Sequence, residues 1–250
     1  MQRILDVVAD VEFSYPEDEQ VVYAIPAGLA LHTDEAWCLR GVSGSGKSTL
    51  MTLLATLRRF RHGHICYRFD ESSPVDVSPA KWKDEVGPAL WRRIGFAFQR
   101  PELIRALNVR DNLALVRPDG DPHATALFDG DEWRRIAGSR VWEISGGQVQ
   151  RLGLVRAFGD HQSLVFLDEP TNNLDRRNRA TVAQFVEERR RGRALVVVSH
   201  DDEFVATLDV DRVFEIRERT ASDGRVRRTL ATACQKPATD PEIPSRRNDS

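Results

Sequence analysis

The chain has 250 residues, 41% of them hydrophobic and 30% charged, which is enough for one sizeable α/β core with a small appended subdomain. A net charge of -2 argues against a nucleic-acid-binding protein, because such proteins are usually clearly basic. No apolar run approaches the ~18 residues of a membrane span, and the widely spaced Cys38, Cys66 and Cys234 indicate reduced thiols rather than a disulfide framework or a zinc site, so we expect a soluble protein.

The first thirty residues predict an antiparallel β-layer ahead of the main core. Residues 4–13 are rich in β-branched and apolar types, and residues 21–31 are apolar again and are expected to pair with them as the next strand. Residues 17–20 predict an exposed turn between these strands. Tyr15 either stacks its ring on an adenine or lies half-buried at a sheet edge, and the spacing favours neither interpretation.

Residues 41–49 (GVSGSGKST) match the phosphate-binding pattern G-x-x-x-x-G-K-[ST]. Glycines let the backbone turn tightly and approach a phosphate, successive N–H groups form an anion nest, and a following helix adds its positive N-terminus. Lys47 can then reach the β- and γ-phosphates, and the Ser48 hydroxyl can bind Mg²⁺. The alternative is a flexible Gly/Ser turn that contains a lysine by chance.

The flanking sequence favours the phosphate loop. Residues 36–40 predict a short buried strand before it, and leucines recurring at i, i+3, i+4 and i+7 predict a helix over residues 46–60 after it. Basic residues between 58 and 64 are expected to form the solvated end of that helix. Residues 65–69 alternate like an edge strand, and residues 70–79 predict a polar loop.

A second group of motifs follows in the middle of the chain. Residues 93–99 predict a strand ending at Gln99, whose amide either contacts Mg²⁺ or an attacking water, or is an ordinary polar loop group. Asn108 is typical of a capped helix start, and residues 117–131 indicate a connection before a short amphipathic helix over residues 132–137.

Residues 144–151 (ISGGQVQR) lead into an apolar helix. Ser145 predicts the helix N-cap, and the two glycines after it leave the first amides bare, which makes a second anion site. Because the phosphates of one nucleotide are already held near Lys47, a second helix end of this kind suggests two sites that face each other across a dimer. An ordinary Ser/Gly cap is the alternative.

Two further buried strands end in polar residues. The apolar run of residues 163–169 ends in Asp168 and Glu169, and ligands bind at the carboxyl ends of parallel strands. Asp168 is placed to hold Mg²⁺ with Ser48, and Glu169 to orient the water that attacks the γ-phosphate or to accept its proton. Two exposed acids in a turn would not explain the apolar run before them.

The strand predicted over residues 194–200 delivers His200, whose neutral imidazole can hydrogen-bond the γ-phosphate or the water, although a lone histidine is usually structural. Residues 212–217 and 225–230 flank a turn at 222–224, which is a hairpin signal. From Gln235 onward the composition predicts a disordered tail.

Taken together, these motifs resemble those of an ATP-binding-cassette (ABC) ATPase, over residues 4 to about 230. Residues 41–49 resemble the Walker A loop and residues 163–169 the Walker B strand with its catalytic glutamate. Residues 145–148 are similar to the signature motif, which is the discriminating one because other P-loop NTPases lack it. Gln99 resembles the Q-loop glutamine, Asp175 the D-loop aspartate, His200 the switch histidine and Tyr15 the A-loop aromatic.

The resemblance assigns a role to each motif residue. Catalytic roles fall to Lys47, Gln99, Glu169 and His200. Nucleotide-binding roles fall to Tyr15, Gly41, Ser43, Gly44, Ser45, Gly46, Lys47, Ser48, Thr49, Ser145, Gly146, Gly147, Gln148 and Asp175. Metal-binding roles fall to Ser48, Gln99 and Asp168, and the implied cofactors are ATP and Mg²⁺.

The implied fold is a RecA-like α/β P-loop core with a mostly parallel sheet, an antiparallel β-subdomain and a short helical subdomain. The nucleotide-binding domain would cover residues 1–234, with the helical subdomain at about 100–158 and the disordered tail at 235–250. Asp34 departs from the family pattern, because a glycine is usual at that position.

The implied activity is Mg-dependent ATP hydrolysis by a head-to-tail dimer, formed with itself or with a sister subunit. ATP-driven closure of this dimer would power a separate permease chain at the inner face of the cell membrane, most like the lipoprotein-release, macrolide-export and cell-division systems. No direct nucleic-acid contact is expected. The alternative is a soluble ABC ATPase of a translation, repair or defence complex, because residues 172–175 resemble the D-loop of translation-factor cassettes equally well.

Overall fold

The computed structural model describes residues 2–69, 73–116 and 124–235. Its strands are β1 (Arg3–Tyr15), β2 (Asp18–Ile25), β3 (Ala30–His32), β4 (Ala36–Arg40), β5 (His62–Tyr67), β6 (Val75–Val77), β7 (Ile94–Ala97), β8 (Leu164–Asp168), β9 (Ala194–Val198), β10 (Arg212–Thr220) and β11 (Val226–Gln235). Its helices are α1 (Lys47–Leu54), α2 (Trp82–Glu85), α3 (Pro88–Arg93), α4 (Val109–Ala114), α5 (Ala124–Leu127), α6 (Gly130–Ile136), α7 (Gly146–Ala157), α8 (Arg176–Arg189) and α9 (Asp202–Thr207), with a 3₁₀ turn at Val141–Glu143.

The strands within these residues form one mixed sheet in the order β6-β5-β1-β2-β11-β10-β4-β9-β8-β7, with β3 paired to β1. From β10 to β7 the neighbours are all parallel, which is the predicted core. The predicted antiparallel layer is the other half of the same sheet, where β1 pairs antiparallel with β2, β3 and β5. The hairpin β10–β11 joins the halves, because β11 lies parallel to β2 and β10 lies parallel to β4.

The parallel strands are buried on both faces, which is what their continuous apolar runs predict. Along β4, Trp37 and Leu39 point into a cluster that includes the leucines of α1, while Ala36 and Cys38 point into the cluster formed by α7, α8 and α9. Every residue of β8 and β9 is buried. The sheet therefore provides a rigid platform whose carboxyl edge carries the predicted polar residues.

Two early boundaries differ from the predictions. The turn predicted at residues 17–20 is wrong, because β2 already begins at Asp18, which pairs directly with Tyr15 and leaves only Pro16 and Glu17 in the turn. The single strand predicted over residues 21–31 is divided into β2 and β3, since the chain turns at Gly28 with a φ of +85°.

The helix after the phosphate loop is shorter than predicted. It ends at Leu54, and Thr56 beyond it has a φ of +50°, so Leu57 lies outside the helix and is 40% exposed. The predicted solvated helix end is therefore wrong for Arg58, whose guanidinium lies 4.7 Å from the centre of the Tyr15 ring. The leucine spacing failed here because the packing of the following chain, and not propensity, sets the end of the helix.

Three short elements also differ from the predictions. The edge strand predicted at residues 65–69 is β5, which lies inside the sheet between β1 and β6, while β6 itself falls within the predicted loop 70–79. The short helix α5 falls within the predicted connection 117–131. The elements β6 and α5 have only three and four residues, which is too short to carry a periodic signal.

The domain limits stay predictions. Helices α4 to α7 lie in the proposed helical subdomain. Gln235, which the prediction placed in the disordered tail, is the last residue of β11, so the prediction is wrong for this residue. Residues 236–250 lie outside the described residues.

The backbone at Asp34 has a conformation that favours glycine, the residue that the resemblance implies at this position. It has a φ of +65°, in the left-handed region that L-residues other than Asn and Asp rarely adopt, and its carboxylate accepts a hydrogen bond from the Gly192 N–H. We expect Asp34→Ala to lower the free energy of unfolding by about 1–2 kcal/mol, from strain and the lost hydrogen bond together. Asp34→Gly should stay within about 1 kcal/mol of wild type, and equal urea stability of all three proteins would contradict this account.

Candidate active site

A cavity of about 550 Å³ opens at the carboxyl ends of β4, β8 and β9. Most of the residues predicted for the site line it. These residues are Tyr15, Ser43, Gly44, Gly46, Lys47, Ser48, Thr49, Gln99, Asp168, Glu169 and His200. They come from separate stretches of the chain, and the parallel sheet brings its strand ends to one edge.

The loop between β4 and α1 has the shape of a phosphate cradle. Gly44 and Gly46 have φ values of +77° and +101°, and α1 starts directly after Gly46 without a side-chain cap. No capping side chain accepts a hydrogen bond from the first N–H groups of α1, so these groups are available to an anion. Gly41, at the start of the loop, and Ser45 lie in the same turn, with the Ser45 N–H donating to the Val42 carbonyl at 3.2 Å.

Lys47 lies across this loop. Its Nζ donates hydrogen bonds to the carbonyl oxygens of Gly41 and Val42, at 2.7 and 3.0 Å. Burial lowers the pKa of the Lys47 ammonium, and the nearby charges of Glu169 and Asp168 oppose that change. A lysine ammonium has three N–H donors, and two of them bind these carbonyls, so one N–H group remains available to a ligand in the cavity.

Asp168 is the last residue of β8 and is almost completely buried. Burial raises the pKa of its carboxyl group, while a hydrogen bond from Ser48 and the charge of Lys47 act in the opposite direction. Ser48 and Lys47 thus offset the cost of burying this carboxylate only in part. The Asp168 carboxylate, the Ser48 hydroxyl and the Gln99 amide oxygen lie on the same cavity and form a set of hard oxygen donors that fits Mg²⁺.

No group of three or more His, Cys, Asp and Glu side chains that could hold a metal is found among residues 2–69, 73–116 and 124–235. Mg²⁺ does not need one, because it usually binds one or two carboxylates together with waters and substrate phosphates. The donor set at Asp168 therefore suits a metal that arrives with a nucleotide better than a permanently bound one.

Glu169 and His200 face each other across the cavity. The Glu169 carboxylate accepts a hydrogen bond from the His200 backbone N–H at 3.2 Å, and its other oxygen lies 3.4 Å from the His200 Nε2. Glu169 has a φ of +48°, a strained conformation that the Val198 carbonyl holds through the Glu169 N–H at 2.8 Å. Burial raises the pKa of the Glu169 carboxyl group, which brings it closer to the range useful for a general base.

Tyr15 is half-buried and lines the cavity. Its strand β1 lies between β5 and β2, so the prediction of a sheet-edge position is wrong, while stacking on an adenine stays a prediction. Its hydroxyl is 3.0 Å from the Thr49 hydroxyl, and the rings of Phe13 and Tyr23 approach it edge to face. The guanidinium of Arg58 lies over the ring. The sequence does not predict this contact, because basic residues after an apolar helix indicate a solvated helix end.

The predicted second anion site lies outside this cavity. Ser145 is the N-cap of α7: its hydroxyl accepts from the Gln148 N–H, and the Gln148 side chain accepts from the Ser145 N–H. Neither these residues nor Gly146 and Gly147 line the cavity, and a Cβ placed on Gly147 would lie 3.4 Å from the Leu174 side chain. Within one chain, therefore, this helix tip and the Lys47 loop do not share a site.

Asp175 also lies away from the cavity. It is the N-cap of α8 and its carboxylate accepts from the Asn178 N–H at 2.8 Å. The hydrogen bond from the Asn178 backbone lowers the pKa of the Asp175 carboxyl group. The predicted D-loop residue therefore has a structural role as a helix cap, and it follows Leu174, which packs near the tip of α7.

A buried polar cluster fixes the tip of α7 to α6. The carboxylate of Glu132 accepts hydrogen bonds from Arg151 at 2.6 Å and from the Gln148 side chain at 2.9 Å. Arg151 is buried and its guanidinium also lies over the Phe128 ring. Sequence reasoning missed this cluster, because its members look like the charged faces of two solvated helices.

Other residues that line the cavity were not predicted. They are Tyr23, Thr171, Asn172, Arg179, Val198 and Asp201. Tyr23 is the clearest omission, since it is an aromatic residue on a strand next to Tyr15 and shares a ring contact with it. Arg179 lies on α8 and donates to the Leu174 carbonyl, a position for which the sequence holds no signal.

Gly46 provides a direct test of the loop geometry. A Cβ at this position would lie under 3.0 Å from the Tyr23 ring, and the φ of +101° is itself unfavourable for other residues. We expect Gly46→Ala to cost about 2–4 kcal/mol of folding stability in urea titrations. Gly138→Ala is the control, because that site is open and lacks a positive φ, and a wild-type stability of Gly46→Ala would contradict the loop geometry.

Comparison with known proteins identifies the family of the chain. The chain matches the family described as "ABC transporter" over residues 26–172, which is more than half of its length. It is 32% identical over 198 residues to the macrolide export ATP-binding/permease protein MacB of Neisseria meningitidis serogroup B, covering 76% of this chain and 30% of that protein. It is 30% identical to the pyoverdine export ATP-binding/permease protein PvdT of Pseudomonas fluorescens, covering 76% and 29%. The chain thus spans about a third of the length of these relatives.

Solved structures show the same fold. A dimeric post-hydrolysis state of the ATP-binding cassette MJ0796 with ADP and Pi has a TM-score of 0.65 at 22% identity, covering 85% of this chain and 94% of that one. An archaeal ribosome recycling factor, aABCE1, in complex with a ribosomal stalk protein, has a TM-score of 0.63 at 18% identity, covering 92% and 40%. No helix in the described parts of the chain is long and apolar enough to cross a membrane. With the family matched over more than half of its residues, the chain belongs to the ABC transporter family and is one of its ATPase cassettes.

Proposed function

We propose that this chain hydrolyses Mg-ATP as a head-to-tail dimer and thereby powers a separate membrane permease. The observation that supports it most is that the Lys47 loop, the carboxylates of Asp168 and Glu169, and His200 converge on one cavity. Each of these groups is chemically suited to a different part of a bound triphosphate and its attacking water.

Hydrolysis would use the residues in the following way. Glu169 orients the water and accepts its proton, and His200, which is paired with Glu169, hydrogen-bonds the γ-phosphate. Lys47 stabilises the charge that develops on the transferred phosphoryl group. Ser48, Asp168 and Gln99 would hold Mg²⁺, which would supply positive charge to the triphosphate. Tyr15 supports the adenine.

The position of the α7 tip supports the proposed dimer. The amides of Gly146 and Gly147 precede the first hydrogen bond of α7, from the Val149 N–H to the Ser145 carbonyl, so they are free of helix partners. They lie outside the cavity of their own chain. A second subunit, in the inverse orientation, would bring this tip, with Gln148 and Asp175 beside it, to the phosphates held by Lys47.

This chain has a groove in which the permease could dock. A hollow of about 200 Å³ is lined by apolar residues, which include Phe98, Pro101 and the 45%-exposed Trp91, and by the polar residues Glu102, Arg156 and Gln162. Gln99 lies directly after Phe98 and lines the ATP cavity, so one short segment belongs to both surfaces. A partner that presses into the groove would therefore sense the nucleotide through this segment. The relatives named ATP-binding/permease proteins favour a membrane partner, at the inner face of the membrane.

The first experiment measures phosphate release by the purified chain. We expect ATP turnover with Mg²⁺ and none with EDTA, and we expect Asp168→Asn to require a much higher Mg²⁺ concentration. Magnesium-independent turnover, or none under any condition, would contradict the proposal.

The second experiment separates the permease hypothesis from a soluble role. In detergent extracts, the chain should co-purify with a polytopic membrane protein, and Trp91→Asp should break this association while leaving the protein folded. Co-sedimentation with ribosomes, without any membrane partner, would favour the translation alternative.

A further inference from the structure

Arg228 reaches the phosphate loop from the far end of the chain. It lies on β11, and its guanidinium donates to the Gly44 carbonyl at 3.0 Å and to the Tyr23 hydroxyl at 3.3 Å. The Glu218 carboxylate on the paired strand β10 accepts from its Nε at 2.9 Å. One arginine therefore connects the hairpin to both Gly44 and Tyr23, whose ring packs under Gly46.

The loop carbonyls show why this contact matters. A nest that points its N–H groups at an anion turns its carbonyls outward, where they need donors of their own. In this structure Lys47 donates hydrogen bonds to the carbonyl oxygens of Gly41 and Val42, and Arg228 donates one to the carbonyl oxygen of Gly44. Lys47 has three donors, so contacting both the β- and the γ-phosphate obliges it to release at least one loop carbonyl. Arg228 does not contact the nucleotide in this proposal, so it can keep its hydrogen bond to Gly44 when ATP binds.

We propose that Arg228 is a positioning residue that holds the Gly44 end of the loop in its phosphate-binding shape while Lys47 turns to the nucleotide. It does not line the cavity and acts only through Gly44 and Tyr23. An arginine suits this role because its planar fork offers several donors in fixed directions, and Glu218 fixes its orientation. The proposal rests on ATP as the ligand of the proposed function, but it needs neither hydrolysis nor a dimer.

The test measures equilibrium binding of ATP and ADP to the purified full chain, in a Glu169→Gln background so that hydrolysis does not intervene. We expect Arg228→Gln to weaken both nucleotides by the same factor of about ten, because the loop holds phosphates that both share. Arg228→Lys, which keeps a charged donor, should recover most of this loss. Thermal unfolding of each variant without nucleotide is measured alongside.

Arg227→Gln is the matched control. Arg227 is the neighbouring residue on the same strand, but its guanidinium pairs with Glu12 at 2.6 Å instead of reaching the loop, so its loss should change nucleotide affinity less than about twofold. The proposal is overturned if Arg228→Gln lowers the unfolding temperature but binds both nucleotides like Arg227→Gln, since Arg228 would then serve only the hairpin. Wild-type protein that binds ATP in an Arg228-dependent way without hydrolysing it would refute the proposed function and support this inference.

Discussion

Glu169→Gln is expected to lower kcat for ATP hydrolysis by about 10³-fold and to leave ATP affinity within about threefold of wild type. The amide keeps the size of the side chain and can still face His200, but it cannot accept the proton of the attacking water. The loss should therefore fall on kcat rather than on binding. Phosphate release at saturating Mg-ATP, together with a nucleotide titration, measures both quantities.

Glu203→Gln is the control, because Glu203 is an exposed acid on α9 that does not line the cavity. Full turnover by Glu169→Gln would rule out Glu169 as the base. The pH profile gives a second readout. Burial raises the pKa of the Glu169 carboxyl group, and only its deprotonated form can accept a proton, so kcat should fall as the pH decreases through this raised pKa. In Glu169→Gln that acid limb should disappear.

Lys47→Ala is expected to weaken ATP binding by about 100-fold, or about 2.7 kcal/mol, and to abolish measurable hydrolysis. The variant loses the cation that contacts the phosphates. It also loses two hydrogen bonds that hold the loop, to the carbonyls of Gly41 and Val42. Titration with a fluorescent ATP analogue measures the affinity.

Lys81→Ala provides the comparison, since Lys81 is an exposed lysine outside the cavity. Urea unfolding of both variants distinguishes lost phosphate contact from lost folding. If Lys47→Ala bound ATP within about threefold of wild type, the loop would not be the phosphate site.

The core strands and the catalytic stretches could be predicted from the sequence because their signals are local. The apolar run of residues 36–40 coincides with β4, and those of residues 163–169 and 194–200 contain β8 and β9. Each of these strands is buried on both faces, so nearly every residue in it is apolar and the run is unmistakable. The position of the polar residues at the strand ends could then be predicted too, because the carboxyl ends of parallel strands lie at the same edge of the sheet.

The missed features depend on partners far apart in the chain. Arg228 and Gly44 are separated by 184 positions, and nothing near Arg228 marks it as a donor to the loop. The same holds for Arg58 over Tyr15 and for the buried Arg151–Glu132 pair. In a single sequence, such arginines cannot be distinguished from solvated ones, because their burial depends on which elements pack together.

Backbone strain is a further property that local patterns do not carry. Glu169 adopts a φ of +48° at the end of β8, a conformation that sequence patterns do not forecast for a glutamate. The surrounding backbone holds it there through the Val198 carbonyl, and the turn directs the carboxylate towards His200. Residues of this kind are stabilised by their surroundings and tend to occur at functional sites.

A crystal structure of the Glu169→Gln variant with Mg²⁺ and ATP tests the two-subunit site most directly. We predict a dimer in which the Gly146 and Gly147 amides of one subunit lie about 3 Å from the γ-phosphate bound at Lys47 of the other. A nucleotide held at Lys47 whose phosphates are far from that helix tip in every assembly would contradict the account.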